Sequence, residues 1–79
     1  MTREEFLKAV GEEKIRSSAF DLDGDGDECY VLSGNDKDWS VFYSERGSET
    51  QKRYFTSEST ALNHLLAVLR NDPSTKLQG

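Results

Sequence analysis

The sequence predicts an α+β fold: a four-stranded antiparallel meander sheet with an N-terminal and a C-terminal helix packed on one face, in the order α-β-β-β-β-α. Three observations predict it. A capped apolar stripe opens the chain, β-branched and aromatic runs between Gly- and Asp-rich turns fill its middle, and a leucine stripe at helical spacing closes it.

The opening helix is announced by Thr2, with Glu5 three residues on completing a capping box. Phe6, Leu7 and Val10 follow at helical spacing, and Gly11 stands where a left-handed C-terminal residue is wanted. Ile15–Leu22 is a weak first strand. The run Asp23-Gly24-Asp25-Gly26 offers Asp-Gly turn chemistry twice and predicts a hairpin into the second strand, Glu28–Ser33. Gly34-Asn35-Asp36 ends that strand. Trp39–Arg46 is the strongest strand, rich in aromatic and β-branched residues, and Gly47-Ser48-Glu49 turns the chain into a fourth, Gln51–Thr56. Ser57 or Ser59 then caps the second helix, whose Leu62, Leu65, Leu66 and Leu69 fall at i, i+3, i+4 and i+7. Asn71-Asp72-Pro73 stops it. One domain, 1–79, is expected, with an ordered core over about 2–72 and a polar tail over 73–79 that frays.

Strand alternation separates Trp39, Val41 and Tyr43 from Phe42, and two short helices cover only one sheet face. Aromatic residues such as Phe42 are therefore candidates for a partner surface on the other face, unless a loop or the C-terminal tail covers them.

Composition narrows function. The chain is acidic, with a net charge of -5, so it repels nucleic acid and anionic membrane and attracts cationic proteins. A single cysteine, Cys29, excludes an internal disulfide, and no apolar run is long enough to cross a bilayer; the expected compartment is the reducing cytoplasm. Cys29 is expected to be a small buried hydrophobe, and the lone His64 a rim residue of the second helix.

The stretch Asp21-Leu22-Asp23-Gly24-Asp25-Gly26-Asp27-Glu28 resembles the start of an EF-hand calcium loop, with Asp at positions 1, 3 and 5 and Gly at 6. Position 12, which needs a bidentate Glu, is Leu32, and a strand follows in place of the exit helix. An Asp-rich hairpin is preferred. The alternatives are weak calcium binding through Asp21, Asp23, Asp25 and Asp27, and an acidic contact loop for a basic partner. Zinc-ligand spacing and a phosphate-cradling glycine loop are both absent from the sequence, and a Cys29 nucleophile would need a positioned base, for which His64 is the only candidate. The expectation is a protein without catalytic activity or cofactor.

Tyr30-Val31-Leu32, then Trp39-Ser40-Val41-Phe42-Tyr43-Ser44-Glu45-Arg46-Gly47, then Phe55-Thr56-Ser57-Glu58 with Ala61, Leu65 and Leu66, resemble the small immunity proteins encoded beside bacterial polymorphic toxins of the contact-dependent, Rhs and type VI kind. The resemblance spans roughly Glu28–Leu69. It implies stoichiometric occlusion of a cognate toxin, with a basic active-site cleft where the toxin attacks nucleic acid. The candidate contact residues are Asp21, Asp23, Asp25, Asp27, Glu28, Phe42, Glu45 and Arg46. For Glu45 and Arg46 the preferred reading is an exposed strand end, with Gly47 making the turn. The other functional class is a general interaction adaptor or homodimeric regulatory module using the open sheet face.

Overall fold

A computed structural model describes residues 1–76 of the chain. The first helix, α1, spans Arg3–Glu12 and carries the expected capping box: Thr2 accepts from the Glu5 amide while the Glu5 carboxylate accepts from the Thr2 amide. The Thr2 backbone amide, and after it the Thr2 side chain, hold the Glu5 carboxyl below the usual carboxylate range. Phe6 and Val10 are its buried face. Gly11 lies inside the helix and not past its end; the left-handed residue that turns the chain out is Lys14, at φ 58°.

The expected first strand, Ile15–Leu22, is mostly not one. Ile15 makes an isolated antiparallel bridge with Lys76, Ser17–Ala19 is a single 3-10 turn, and only Phe20–Asp21 (β1) joins the sheet. The remaining strands are β2 (Cys29–Asn35), β3 (Asp38–Glu45) and β4 (Ser48–Phe55), followed by helix α2 (Glu58–Asn71). The sheet order is β1-β2-β3-β4, the sequential order expected, but β1 runs parallel to β2, pairing Phe20 with Tyr30 and Asp21 with Val31. The sheet is therefore mixed and not a purely antiparallel meander. The reason is local. Two residues of pairing need only a short return path, so the chain doubles back through Leu22–Glu28 without the long crossover that full parallel strands demand.

Antiparallel pairing resumes between β2 and β3, with Val31 opposite Phe42 and Leu32 opposite Val41. Between β3 and β4 the register shifts: Val41 pairs with Arg53 but Tyr43 with Thr50, so β4 carries one extra residue opposite Phe42. Gln51, at φ 56°, is the bulge residue.

Alternation sorts the sheet into two faces. Leu32 and Val41 enter the main core with Phe6 and Val10 of α1 and Leu62, Leu65 and Leu69 of α2, all of them buried. Ser57 caps α2 by accepting from the Thr60 amide. The two helices are tied to each other by Arg70, whose Nη2 lies 2.6 Å from Glu13 Oε2. After α2, Pro73–Thr75 forms a second 3-10 turn and Thr75 is buried, its hydroxyl donating to the Leu69 carbonyl at 2.7 Å. This part of the expected fraying tail is thus packed, because Arg16 and Ile15 hold it through backbone and bridge contacts; residues 77–79 lie outside the described residues. No helix among the described residues is long and apolar enough to cross a membrane.

Candidate functional site

The second sheet face holds Cys29, Val31 and Phe42, a separate buried cluster. The acidic loop covers it. Leu22–Glu28 crosses back over β2, and its two glycines mark the points of contact. A Cβ on Gly24 would lie 3.1 Å from Ser33 Oγ, and one on Gly26 only 2.5 Å from Cys29 Sγ. Val31, between those positions on the same face, is fully buried. The double Asp-Gly signal is therefore a crossover packed on the sheet and not a hairpin. Gly24 also needs its freedom, at φ 82°.

Asp21 builds this loop. Its Oδ2 accepts the backbone N–H groups of Asp23 at 3.1 Å, Asp25 at 2.9 Å and Gly26 at 3.2 Å. One inward carboxylate thus takes over amides that no strand partner satisfies. Arg3 fastens the loop from outside, donating to the Leu22 carbonyl at 3.2 Å and to Glu58 Oε2 at 2.9 Å, with Asp23 Oδ1 3.9 Å from its other nitrogen. Asp23, Asp25, Asp27 and Glu28 are exposed. Among the described residues no three acidic, histidine or cysteine side chains come together in a way that could hold a metal ion. The loop has the spacing of a calcium loop without its convergence.

The other candidate residues divide. Phe42 is not an open-face contact: it is 6% exposed, packed with Cys29 and Val31, and the Lys52 ammonium stands 5.1 Å from its ring centre. It belongs to the same buried cluster as Cys29, the residue against which the loop packs at Gly26. Glu45 is exposed at the end of β3, and Arg46 (φ 51°) with Gly47 (φ 84°) makes the tight turn into β4. Because Cys29 pairs with Ser44, Glu28 and Glu45 leave the sheet at the same end. The fold thus gathers the acidic loop, Glu28 and Glu45 on one side of the molecule, while Asp21 and Phe42 lie beneath as supports.

Cys29 is buried, and burial, then the charges of Asp21 and Asp27, push its thiol up, away from thiolate chemistry. Sequence reasoning left out two features. Tyr54 is 76% exposed on the edge strand, and it flanks a cleft of about 690 Å³ shared with Trp39, Phe55 and Thr60. Alternation separates Tyr54 from Phe55; the missing signal is that β4 is the edge strand of the sheet among the described residues. The second feature is a groove between β4 and α2 at His64, which is half-buried against the Phe55 ring at 5.1 Å between centres.

No family model, curated protein or solved structure matches this chain.

Proposed function

We propose that this chain is an immunity-type inhibitor, a non-catalytic cytoplasmic protein that neutralises a cognate toxin domain by stoichiometric occlusion. The observation that carries the reading is the pre-organised acidic loop. Asp23, Asp25, Asp27 and Glu28 project from a frame fixed by Asp21 and by glycine contacts with the sheet. A loop already ordered loses little conformational entropy on binding, and a one-sign surface speeds encounter with an oppositely charged cleft. The partner that fits is a toxin with a basic active-site cleft, as expected of one acting on nucleic acid. The family resemblance over Glu28–Leu69 agrees with this reading, since it rests on the strands and helix that support the loop.

The homodimeric alternative finds less support at the sheet edge. β4 is an unpaired edge strand, but the bulge at Gln51 and the charges of Lys52 and Arg53 blunt it against strand-to-strand pairing. The test is co-expression with the toxic C-terminal domain that this proposal expects in the neighbouring reading frame. Growth rescue by the parent chain, and recovery of a one-to-one complex, are the expected results. Failure to rescue, with the chain present and folded, would overturn the proposal.

A further inference from the structure

A groove of about 370 Å³ runs between β4 and α2, on the face of the sheet opposite the acidic loop. Val41 and Val68 are its apolar floor, and Tyr30 and Tyr43, packed edge-to-face at 5.0 Å, form one wall. Phe42, Gln51, Lys52, Arg53 and His64 complete the lining. One property sets it apart. In a chain with 15 acidic residues against 10 Lys and Arg, no carboxylate lines this groove. Arg53 is exposed at its rim and, like Lys8, Lys14, Arg16, Lys37 and Arg46, is in no ion pair among the described residues. Asp72 is the nearest acid at the adjoining end, and it is engaged by the Tyr30 hydroxyl at 3.1 Å and by Ser74.

We propose that this groove is an oxyanion-binding site, taking a carboxylate or phosphate on an apolar stem, with Arg53 as the charged anchor. The guanidinium offers paired donors in a plane, the geometry that grips a carboxylate through two hydrogen bonds. The Tyr43 hydroxyl and the Gln51 amide supply neutral donors, and Val41 and Val68 accept the stem. Lys52 contributes only its chain, because its ammonium is bound to Glu49 at 2.9 Å over the other face. Burial, then the Arg53 charge, hold the His64 imidazole below its ordinary value. The Phe55 ring and the Arg53 charge, both of β4, act on His64, and Tyr43 of β3 and Tyr30 of β2 share its groove. An anion on Arg53 removes the repulsive part of that shift.

His64 is the only histidine, so its ring protons are an unambiguous NMR reporter. The intact chain is titrated with sodium acetate, sodium phosphate and the methylamide of N-acetylglutamate, each against sodium chloride at matched ionic strength. The expected result is a saturable shift of the His64 signals with an upward move of its pKa, and at least a roughly tenfold loss of affinity in Arg53→Gln. Lys8→Gln, at an exposed cation of the first helix, should bind as the parent does. Tighter binding of the glutamyl derivative than of acetate identifies a partner's acidic side chain as the ligand; equal or weaker binding identifies a free small acid or phosphate. Signals that merely follow the chloride control, or an Arg53→Gln response equal to the parent's, would overturn the site. This proposal stands apart from the immunity reading, since it needs only the isolated chain.

Discussion

Gly26 has no room for a side chain, and that fixes how the acidic loop sits. A methyl there would meet Cys29 Sγ at 2.5 Å and Asp21 Cβ at 2.7 Å. Gly26→Ala should therefore cost about 2 kcal/mol, in the range of overpacked interiors, read by chemical denaturation. Gly11 is the opposite case: it is helical and a Cβ meets nothing within 4 Å, so Gly11→Ala should stabilise by roughly 0.5–1 kcal/mol. Equal effects at the two positions would contradict the placement of the loop. Asp21 is separated from its neighbours in the same way. Asp21→Ala strands three amides and should cost on the order of 2 kcal/mol, whereas Asn at 23, 25 or 27 should change stability little. Sequence spacing brought Asp21 into the candidate set but as one contact among equals. Its role as the half-buried support of the loop is not legible in the sequence, because the calcium-loop pattern and an Asp-anchored crossover use the same residues.

Elements with a strong internal period were legible. The leucine stripe of α2 and its Ser57 cap, the capping box of α1 and the strands over β2 to β4 lie where the pattern put them, within a residue or two except at β4, which starts three residues before its expected start. Leu65→Ala, at a fully buried position, should cost about 3 kcal/mol and unfold much of so small a domain. What failed was the weak segment before the acidic loop. Ile15–Leu22 lacks a period, and its direction was inferred from turn chemistry alone. A hairpin makes neighbours antiparallel; a packed crossover made them parallel. Between elements, Glu13 and Arg70 join the helices, and the hydrogen bond from Arg70 holds the Glu13 carboxyl below the usual carboxylate range. Asp72 is likewise lowered, mainly by Ser74. A carboxylate with a depressed folded pKa contributes stability above its unfolded value and loses it as pH falls through the folded one. Stability should thus decline on acidification below the ordinary carboxylate range, and Glu13→Gln should flatten that limb of a melting-temperature profile. An unchanged limb would place the acid sensitivity elsewhere.

At the scale of the whole molecule, the two sheet faces have been given different work. The face toward α2 holds the main core, and the other is sealed by the acidic loop over Cys29, Val31 and Phe42. On the face away from α2 the chain itself packs the acidic loop against the sheet at Ser33 and Cys29. Phe42 was therefore misplaced as a contact, and the same alternation that exposed it in principle buried it in fact. Exposed charge, not an aromatic patch, is what the loop presents. Four carboxyl groups at one side of the molecule, beside Glu45, form the surface on which the inhibitor proposal rests.

The most direct measurement is the association rate of the purified chain with its cognate toxin domain, compared with a variant carrying Asp23→Asn, Asp25→Asn and Asp27→Asn. These residues are exposed, while Asp21, which holds the loop, is left in place. The account predicts an association slower by about tenfold or more at low salt, a difference that shrinks as salt is added, and an unchanged melting temperature. An association rate equal to the parent's, in a variant that is equally stable, would contradict the claim that this loop meets the partner.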